Sequence, residues 1–191
     1  SDSDGIQTVV LVGIGGSGKT TIAYQYARNQ SIPLIWEINA ETKESLISSL
    51  EQLAYSLCKN DEETHQLAMI PQIKDIFEKE RKLLLFLAKR IKNYPDWLII
   101  YNNVETFQDI KKYFPYDSKV WGNGKVIITT RDSNIAHSSY ILADNVIKVE
   151  ELSKEEKFDL FSKIINLDSD NFGNDKLKIM DFLENIPSFS L

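Results

Sequence analysis

The stretch that decides the fold is Thr8-Val9-Val10-Leu11-Val12-Gly13-Ile14-Gly15-Gly16-Ser17-Gly18-Lys19-Thr20. It begins as an apolar, β-branched run, which is typical of a buried strand in a parallel sheet. The run passes into the pattern G-x-x-x-x-G-K-[ST], and a helical pattern follows from Lys19 to Asn29. A glycine-rich turn between a strand and a helix directs successive backbone N–H groups at an anion. The stretch therefore predicts a phosphate-binding loop.

Each part of this loop has an expected role. The glycines let the backbone wrap phosphates without side-chain clashes, and Lys19 reaches the β- and γ-phosphates as a point charge. The hydroxyl of Thr20 takes one Mg²⁺ position, and Thr21 adds a contact to the α-phosphate. The bland alternative is a glycine-rich turn beside a solvated lysine. The predicted nucleotide-binding residues are Gly13, Ile14, Gly15, Gly16, Ser17, Gly18, Lys19, Thr20 and Thr21.

Four further apolar runs predict strands at residues 33–39, 97–101, 125–130 and 145–149. Helical patterns separate the predicted strands at residues 8–12, 33–39 and 97–101, and a polar break at Asn60 to Thr64 interrupts the second helical stretch. We expect an α/β, three-layer P-loop NTPase fold with a five-stranded, mainly parallel sheet over residues 1–150. Residues 151–191 predict a small helical subdomain that is truncated at its C-terminal end.

The bulk composition narrows the class of partner. The chain carries a formal net charge of -6, which disfavours binding to nucleic acid backbones and to anionic membranes. Cys58 is the only cysteine, so no internal disulfide is possible, and the longest apolar run, Leu83 to Ala88, is far too short to span a bilayer. We therefore expect a cytoplasmic protein that binds neither nucleic acid nor membrane.

The strand at residues 97–101 delivers Asn102 and Asn103 to the place where P-loop proteins normally carry the acid that organises Mg²⁺. Asn102 is the metal candidate, but an amide lacks the charge of an acid and cannot accept a proton. Asn103 could orient an attacking water, and Glu105 is the nearest carboxylate that could act as a base. The alternative is that both asparagines are turn residues. We expect ATP hydrolysis to be weak or absent.

The strand at residues 125–130 ends in two threonines and is followed by Arg131. An arginine at the C-terminal edge of a parallel strand lies where ligands bind, so Arg131 is a candidate sensor of the γ-phosphate. The alternative is a surface arginine paired with Asp132.

Together, three segments resemble the NB-ARC family of signal-transduction ATPases (STAND), which regulate cell death, immunity and transcription. They are residues 13–23, 98–104 and 124–131, and residues 150–153, followed by Leu160-Phe161, resemble the next motif of that family. The closing segment, 186–191, is similar to the family's proline-leucine motif that contacts the nucleotide base, but Ser190 stands where proline is expected.

The resemblance implies an ATP- or ADP-binding switch module that uses Mg²⁺ and whose full-length protein self-associates. It also implies catalytic roles for Lys19, Asn103 and Arg131, and a metal-binding role for Thr20 and Asn102, although Asn102 departs from the family pattern. Two alternatives remain open. One is a scaffold that holds nucleotide without turnover, and the other is a different P-loop ATPase or kinase; a GTPase is disfavoured because an N-K-x-D motif is lacking.

Overall fold

A computed structural model describes residues 5–137 and 141–150 of the chain. Five strands form one sheet in the order β2-β3-β4-β1-β5, and each neighbouring pair is parallel. The strands are β1 (Ile6–Val12), β2 (Leu34–Asn39), β3 (Trp97–Val104), β4 (Gly124–Thr130) and β5 (Val146–Lys148). They confirm the five predicted strands to within a few residues at each end.

The helices in the described part of the chain lie between these strands. They are α1 (Lys19–Arg28), α2 (Lys43–Ser56), α3 (Asp61–Met69), α4 (Ile76–Ile91), α5 (Phe107–Ile110) and α6 (Ser118–Trp121), with short 3₁₀ turns at Ile70–Gln72, Lys111–Tyr113, Ser133–His137 and Ala143–Asn145. Apolar residues of α1 pack on one face of the sheet, and those of α2 and α4 pack on the other. This is the expected α/β three-layer architecture.

The predicted polar break at Asn60 to Thr64 is wrong in one respect, because α3 begins inside it at Asp61. The side chain of Asn60 caps this helix by accepting a hydrogen bond from the N–H of Glu63 at 2.9 Å. Acidic residues in the first turn also favour the positive end of the helix dipole. Polar residues that looked like a loop are thus a helix start.

The alternation of side chains along the strands positions the site. On β3, Leu98 and Ile100 face α1, and Asn102 continues this row at the carboxyl end of the strand. The same row on β4 runs from Ile127 to Thr129. Apolar core therefore gives way to polar side chains at the sheet edge where α1 begins.

The predicted helical subdomain and the motif residues within 151–153, 160–161 and 186–191 lie outside the described residues. Among the helices of the described part, none combines the length and the apolar character needed to cross a membrane.

Candidate nucleotide-binding site

The loop between β1 and α1 is held against the two strands that flank β1. The N–H of Gly13 donates to the carbonyl oxygen of Thr130 at 3.2 Å, and the N–H of Val149 donates to the carbonyl oxygen of Val12 at 2.7 Å. A Cβ atom on Gly13 would lie 2.3 Å from the carbonyl oxygen of Val149. Only glycine fits this close approach of the two backbones.

The end of the loop has the backbone geometry of an anion cradle. Gly16 and Gly18 adopt positive φ angles of 79° and 91°, which L-residues with side chains disfavour. Gly18 stands at the N-cap of α1 without a side chain to cap the helix, and the first turn contains no acidic residue. The first N–H groups of a helix have no partner within the helix, so they can bind an anion here.

Lys19 is folded over the loop from the first turn of α1. Its Nζ donates to the carbonyl oxygens of Gly13 at 2.8 Å and Ile14 at 2.7 Å, and it lies 3.4 Å from Oγ of Ser17. The Lys19 side chain is buried, and burial together with the nearby positive charge of Arg131 lowers its pKa below 10.5. Loop carbonyls therefore hold the ammonium group at the rim of the cradle.

Arg131 lies directly beside the loop. A Cβ atom on Gly15 would be 2.9 Å from an Nη atom of Arg131 and 3.1 Å from its Cζ. The arginine is exposed, and it forms no ion pair with Asp132 or any other acid within residues 5–137 and 141–150. The guanidinium group is thus placed against the cradle rather than in a surface ion pair.

Three polar side chains meet at the start of α1. The hydroxyl of Thr20 donates to Oδ1 of Asn102 at 2.9 Å, and the hydroxyl of Thr129 donates to the same oxygen at 2.6 Å. Asn102 and Thr129 are both buried. The sequence places Thr20 and Asn102 more than eighty residues apart, and the structure brings them into direct contact.

The other end of the Asn102 amide contacts a carboxylate on the neighbouring strand. Nδ2 of Asn102 donates to Oε1 of Glu37 on β2 at 2.8 Å. Burial, and then a hydrogen bond with the Glu37 carboxylate, raise the pKa of Tyr24 on α1. Because a carboxylate only accepts, the bond to Glu37 fixes which end of the Asn102 amide faces Thr20.

Asn103 occupies a bulge of β3. The pairing register with β4 shifts between Tyr101 and Val104, and Asn103 adopts a φ of 60°. Asparagine tolerates this left-handed conformation better than most residues. Its N–H donates to Oγ1 of Thr129 at 3.0 Å, while the residue itself is exposed at the C-terminal edge of the sheet.

Comparison with known proteins shows the family to which the chain belongs. The family model of the NB-ARC domain matches residues 1–171. The chain belongs to the NB-ARC family. It is a nucleotide-binding module of the STAND type, which confirms the resemblance that the motifs carry.

Individual relatives are more distant from this NB-ARC domain. Disease resistance protein RPM1 of Arabidopsis thaliana is 25% identical over 159 residues, which cover 81% of the chain. Among solved structures, a STAND protein with a tetratricopeptide repeat sensor from Pyrococcus horikoshii is 18% identical over 94% of the chain, with a TM-score of 0.45. Cdc6p from Pyrobaculum aerophilum is 12% identical over 84% of the chain, with a TM-score of 0.49. The chain spans 16%, 25% and 43% of the lengths of these three proteins, respectively.

The donors in this NB-ARC domain suit a hard cation such as Mg²⁺. Thr20 and Glu37 offer a hydroxyl and a carboxylate oxygen, while the amide oxygen of Asn102 accepts from both Thr20 and Thr129 and links the two groups. Within the described ranges, the His, Cys, Asp and Glu side chains form no group of three or more that could hold a metal ion. A metal at this site would therefore need phosphate oxygens to complete its coordination.

Sequence reasoning missed two residues of the site. Thr129 was visible as a hydroxyl at the end of β4, but nothing in the sequence indicated that it would contact Asn102. Glu37 lies within a strand rather than after it, so the pattern of acids at strand ends does not single it out. The available signal was that Glu37 is a charged residue in the strand row that it shares with Ile35.

Proposed function

We propose that this NB-ARC domain is an ATP- or ADP-binding switch that requires Mg²⁺ and hydrolyses ATP slowly or not at all. The observation that carries the proposal is the contact between Thr20 and Asn102 at the mouth of a glycine cradle. A hydroxyl in the first turn of the helix and a side chain at the end of β3 meet there, as Mg²⁺ binding requires, but the second group is neutral.

The phosphate contacts follow from the cradle. Backbone N–H groups at the end of the loop and in the first turn of α1 bind the polyphosphate, and Lys19 exchanges loop carbonyls for phosphate oxygens. Because Lys19 and Arg131 are both cationic and close to the same loop, an anion with several charges is favoured over a single phosphate.

The chemistry of the metal side supports weak turnover. Oδ1 of Asn102 accepts a hydrogen bond from the Thr20 hydroxyl, which leaves the lone pairs of that hydroxyl available to a metal ion. When bound, Mg²⁺ neutralises phosphate charge in the transition state. The amide of Asn102 adds no charge to hold that ion, and the amide of Asn103 can orient a water but cannot accept its proton.

Arg131 supplies the means to distinguish ATP from ADP. It lies beside the loop at Gly15, and it is followed by a 3₁₀ turn at Ser133–His137. We propose that a γ-phosphate draws the guanidinium group into charge-assisted hydrogen bonds that ADP cannot offer. The movement of Arg131 would then alter the chain that follows β4. As in other members of the family, the result would be self-association of the full-length cytoplasmic protein.

Binding and turnover are tested separately. Nucleotide released from the purified chain by denaturation should be identified as ADP or ATP by chromatography, and calorimetric titration with each should give saturable binding. A chain that carries no nucleotide and binds neither one contradicts the proposal.

For turnover, phosphate release is measured with Mg²⁺ and ATP in the wild type and in Asn102→Asp. We expect a rate close to background in the wild type and a higher rate in the variant, because the restored acid holds the metal. Rapid hydrolysis by the wild type contradicts the proposed impairment. An inert Asn102→Asp that still binds nucleotide favours the alternative of a scaffold without turnover, to which both asparagines also point.

A further inference from the structure

We infer that Glu37 supplies the negative charge of the Mg²⁺ site, and that Glu37 and Asn102 divide between two strands the work of a single acid. The inference rests on the proposed function, since it concerns the same nucleotide site. Nothing in the sequence motifs or in the comparisons assigns Glu37 a role.

The first step is the hydrogen-bonded chain that links Glu37 to the metal-binding hydroxyl. Glu37 accepts from Nδ2 of Asn102 at 2.8 Å, and the oxygen of the same amide accepts from Thr20 at 2.9 Å. The planar amide group of Asn102 therefore lies between the carboxylate of Glu37 and the hydroxyl of Thr20. The amide is oriented by its partners at both ends, which include Thr129.

The second step concerns why this carboxylate is where it is. Glu37 lies on β2, next to β3 in the sheet, and it faces α1 in the row otherwise occupied by apolar residues such as Ile35. An acid in this row has no structural advantage over an apolar residue, because burying a charge near the core is costly. Glu37 nevertheless remains exposed, and its carboxylate accepts from the side chain of Asn102, which lies near the carboxyl end of β3.

The third step is the chemistry of the donors. In the described residues, Glu37 has no cationic partner in any salt bridge. Nδ2 of the neutral Asn102 amide donates to its carboxylate at 2.8 Å. An exposed carboxylate that accepts from one neutral amide has further lone pairs that can accept hydrogen bonds. Water on a Mg²⁺ ion is the donor that such an acceptor takes in P-loop sites.

The test measures how strongly Mg²⁺ increases nucleotide affinity. The non-hydrolysable analogue AMP-PNP is titrated into the chain with Mg²⁺ and with EDTA. The Kd in EDTA divided by the Kd in Mg²⁺ gives the contribution of the metal to affinity. Glu37→Gln preserves the shape of the side chain and its ability to accept from Asn102. We expect it to reduce the ratio by about 10-fold, with affinity in EDTA unchanged or slightly higher.

Two further variants make the result specific. Glu51→Gln removes the same charge from α2, on the opposite face of the sheet, and should leave the ratio unchanged. Asn102→Asp combined with Glu37→Gln moves the carboxylate to β3 and should restore the ratio. Binding of Mn²⁺ in the presence of AMP-PNP, followed by electron paramagnetic resonance, should show the same order of the variants.

The outcomes separate this inference from the proposed function. Saturable binding by the wild type, combined with a ratio in Glu37→Gln within about twofold of the wild-type ratio, overturns the inference and leaves the nucleotide site standing. A wild-type ratio near one overturns the inference together with the proposed requirement for Mg²⁺, and leaves the nucleotide site standing. Absence of AMP-PNP binding in both conditions overturns the proposed function and this inference with it.

Discussion

Replacing Lys19 with alanine tests the phosphate cradle most directly. The ammonium group donates to the carbonyl oxygens of Gly13 and Ile14, so binding a phosphate requires it to exchange at least part of these bonds. A charge-assisted hydrogen bond contributes about 1.5–3 kcal/mol, so contacts to two phosphates contribute roughly 3–6 kcal/mol. After roughly 1–2 kcal/mol is subtracted for the bonds to the loop, the net loss is about 2–4 kcal/mol.

This loss corresponds to a Kd about 30- to 700-fold higher for ADP in Lys19→Ala. The assay is calorimetric titration at fixed Mg²⁺ and ionic strength, because salt screens the charges of an exposed site. Lys79→Ala is the matched control: it removes the same charge from α4, where Lys79 lies 3.9 Å from Glu51 on the opposite side of the sheet. Its affinity should equal that of the wild type.

Stability is the second readout for the same variant. Lys19 is buried, and burial together with Arg131 lowers its pKa, which disfavours the charged form. The hydrogen bonds to the carbonyl oxygens of Gly13 and Ile14 favour that form. These effects oppose one another, so the free energy of unfolding without nucleotide should change by less than about 1 kcal/mol. A Kd within threefold of the wild-type value in a folded Lys19→Ala would refute the assignment of the cradle.

Three further perturbations address other parts of the site and sheet. Arg131→Ala should raise the Kd for ATP by about 10-fold and that for ADP by less than about threefold, because only a γ-phosphate engages the guanidinium group; equal effects in parallel titrations would exclude a sensor role. A bound polyphosphate favours the charged form of Lys19, whose pKa is lowered in the free protein. ATP affinity should therefore be greatest below that pKa and should fall as pH rises through it. Titrations in buffers of different ionisation enthalpy should detect proton uptake on binding at alkaline pH, and proton release would contradict the reasoning. Gly124→Ala would place a Cβ atom 2.1 Å from the ring of the fully buried Trp97, so the free energy of unfolding measured with urea should fall by about 1–3 kcal/mol or more, and an unchanged value would show that the ring has room to move.

The sheet could be predicted from the sequence because each strand is a short apolar run that ends abruptly. Val10 and Leu11 on β1, like Ile99 and Ile100 on β3, pack on opposite faces, so both faces of the strand are apolar. The start of α3 could not be recognised in the same way. Its first turn is acidic and its N-cap is Asn60, a composition that polar loops share.

The loop residues of the site could also be predicted, since the glycine pattern and Lys19 are contiguous in the chain. The metal side could be predicted only in part. Thr20 follows from the loop pattern and Asn102 from the end of a strand, but the sequence does not give the order of strands in the sheet. The contact of Asn102 with Glu37 depends on β2 lying beside β3, and this adjacency is visible only in the fold.

The conformation of Asn103 limits the catalytic interpretation. A left-handed φ at a non-glycine residue costs free energy and is found where the surroundings impose it. Here the N–H of Asn103 is bound to Thr129, which in turn donates to Asn102, so the bulge fixes the metal-side amide. The backbone of Asn103 thus positions Asn102, and a role of its side chain toward water stays a prediction.

The charges around the loop favour retention of nucleotide over rapid exchange. Lys19 and Arg131 are close enough for the arginine to lower the pKa of the lysine, and neither forms an ion pair in the part of the chain that the structure describes. Two neighbouring cations with no acidic partner destabilise the loop, and a polyphosphate between them removes that repulsion. A conformation in which only the ligand relieves this repulsion gains more from binding than other conformations do. Such a difference in affinity between conformations is what a switch depends on. With the slow hydrolysis that we propose, the ATP-bound state would persist, and nucleotide exchange would set the lifetime of the signal.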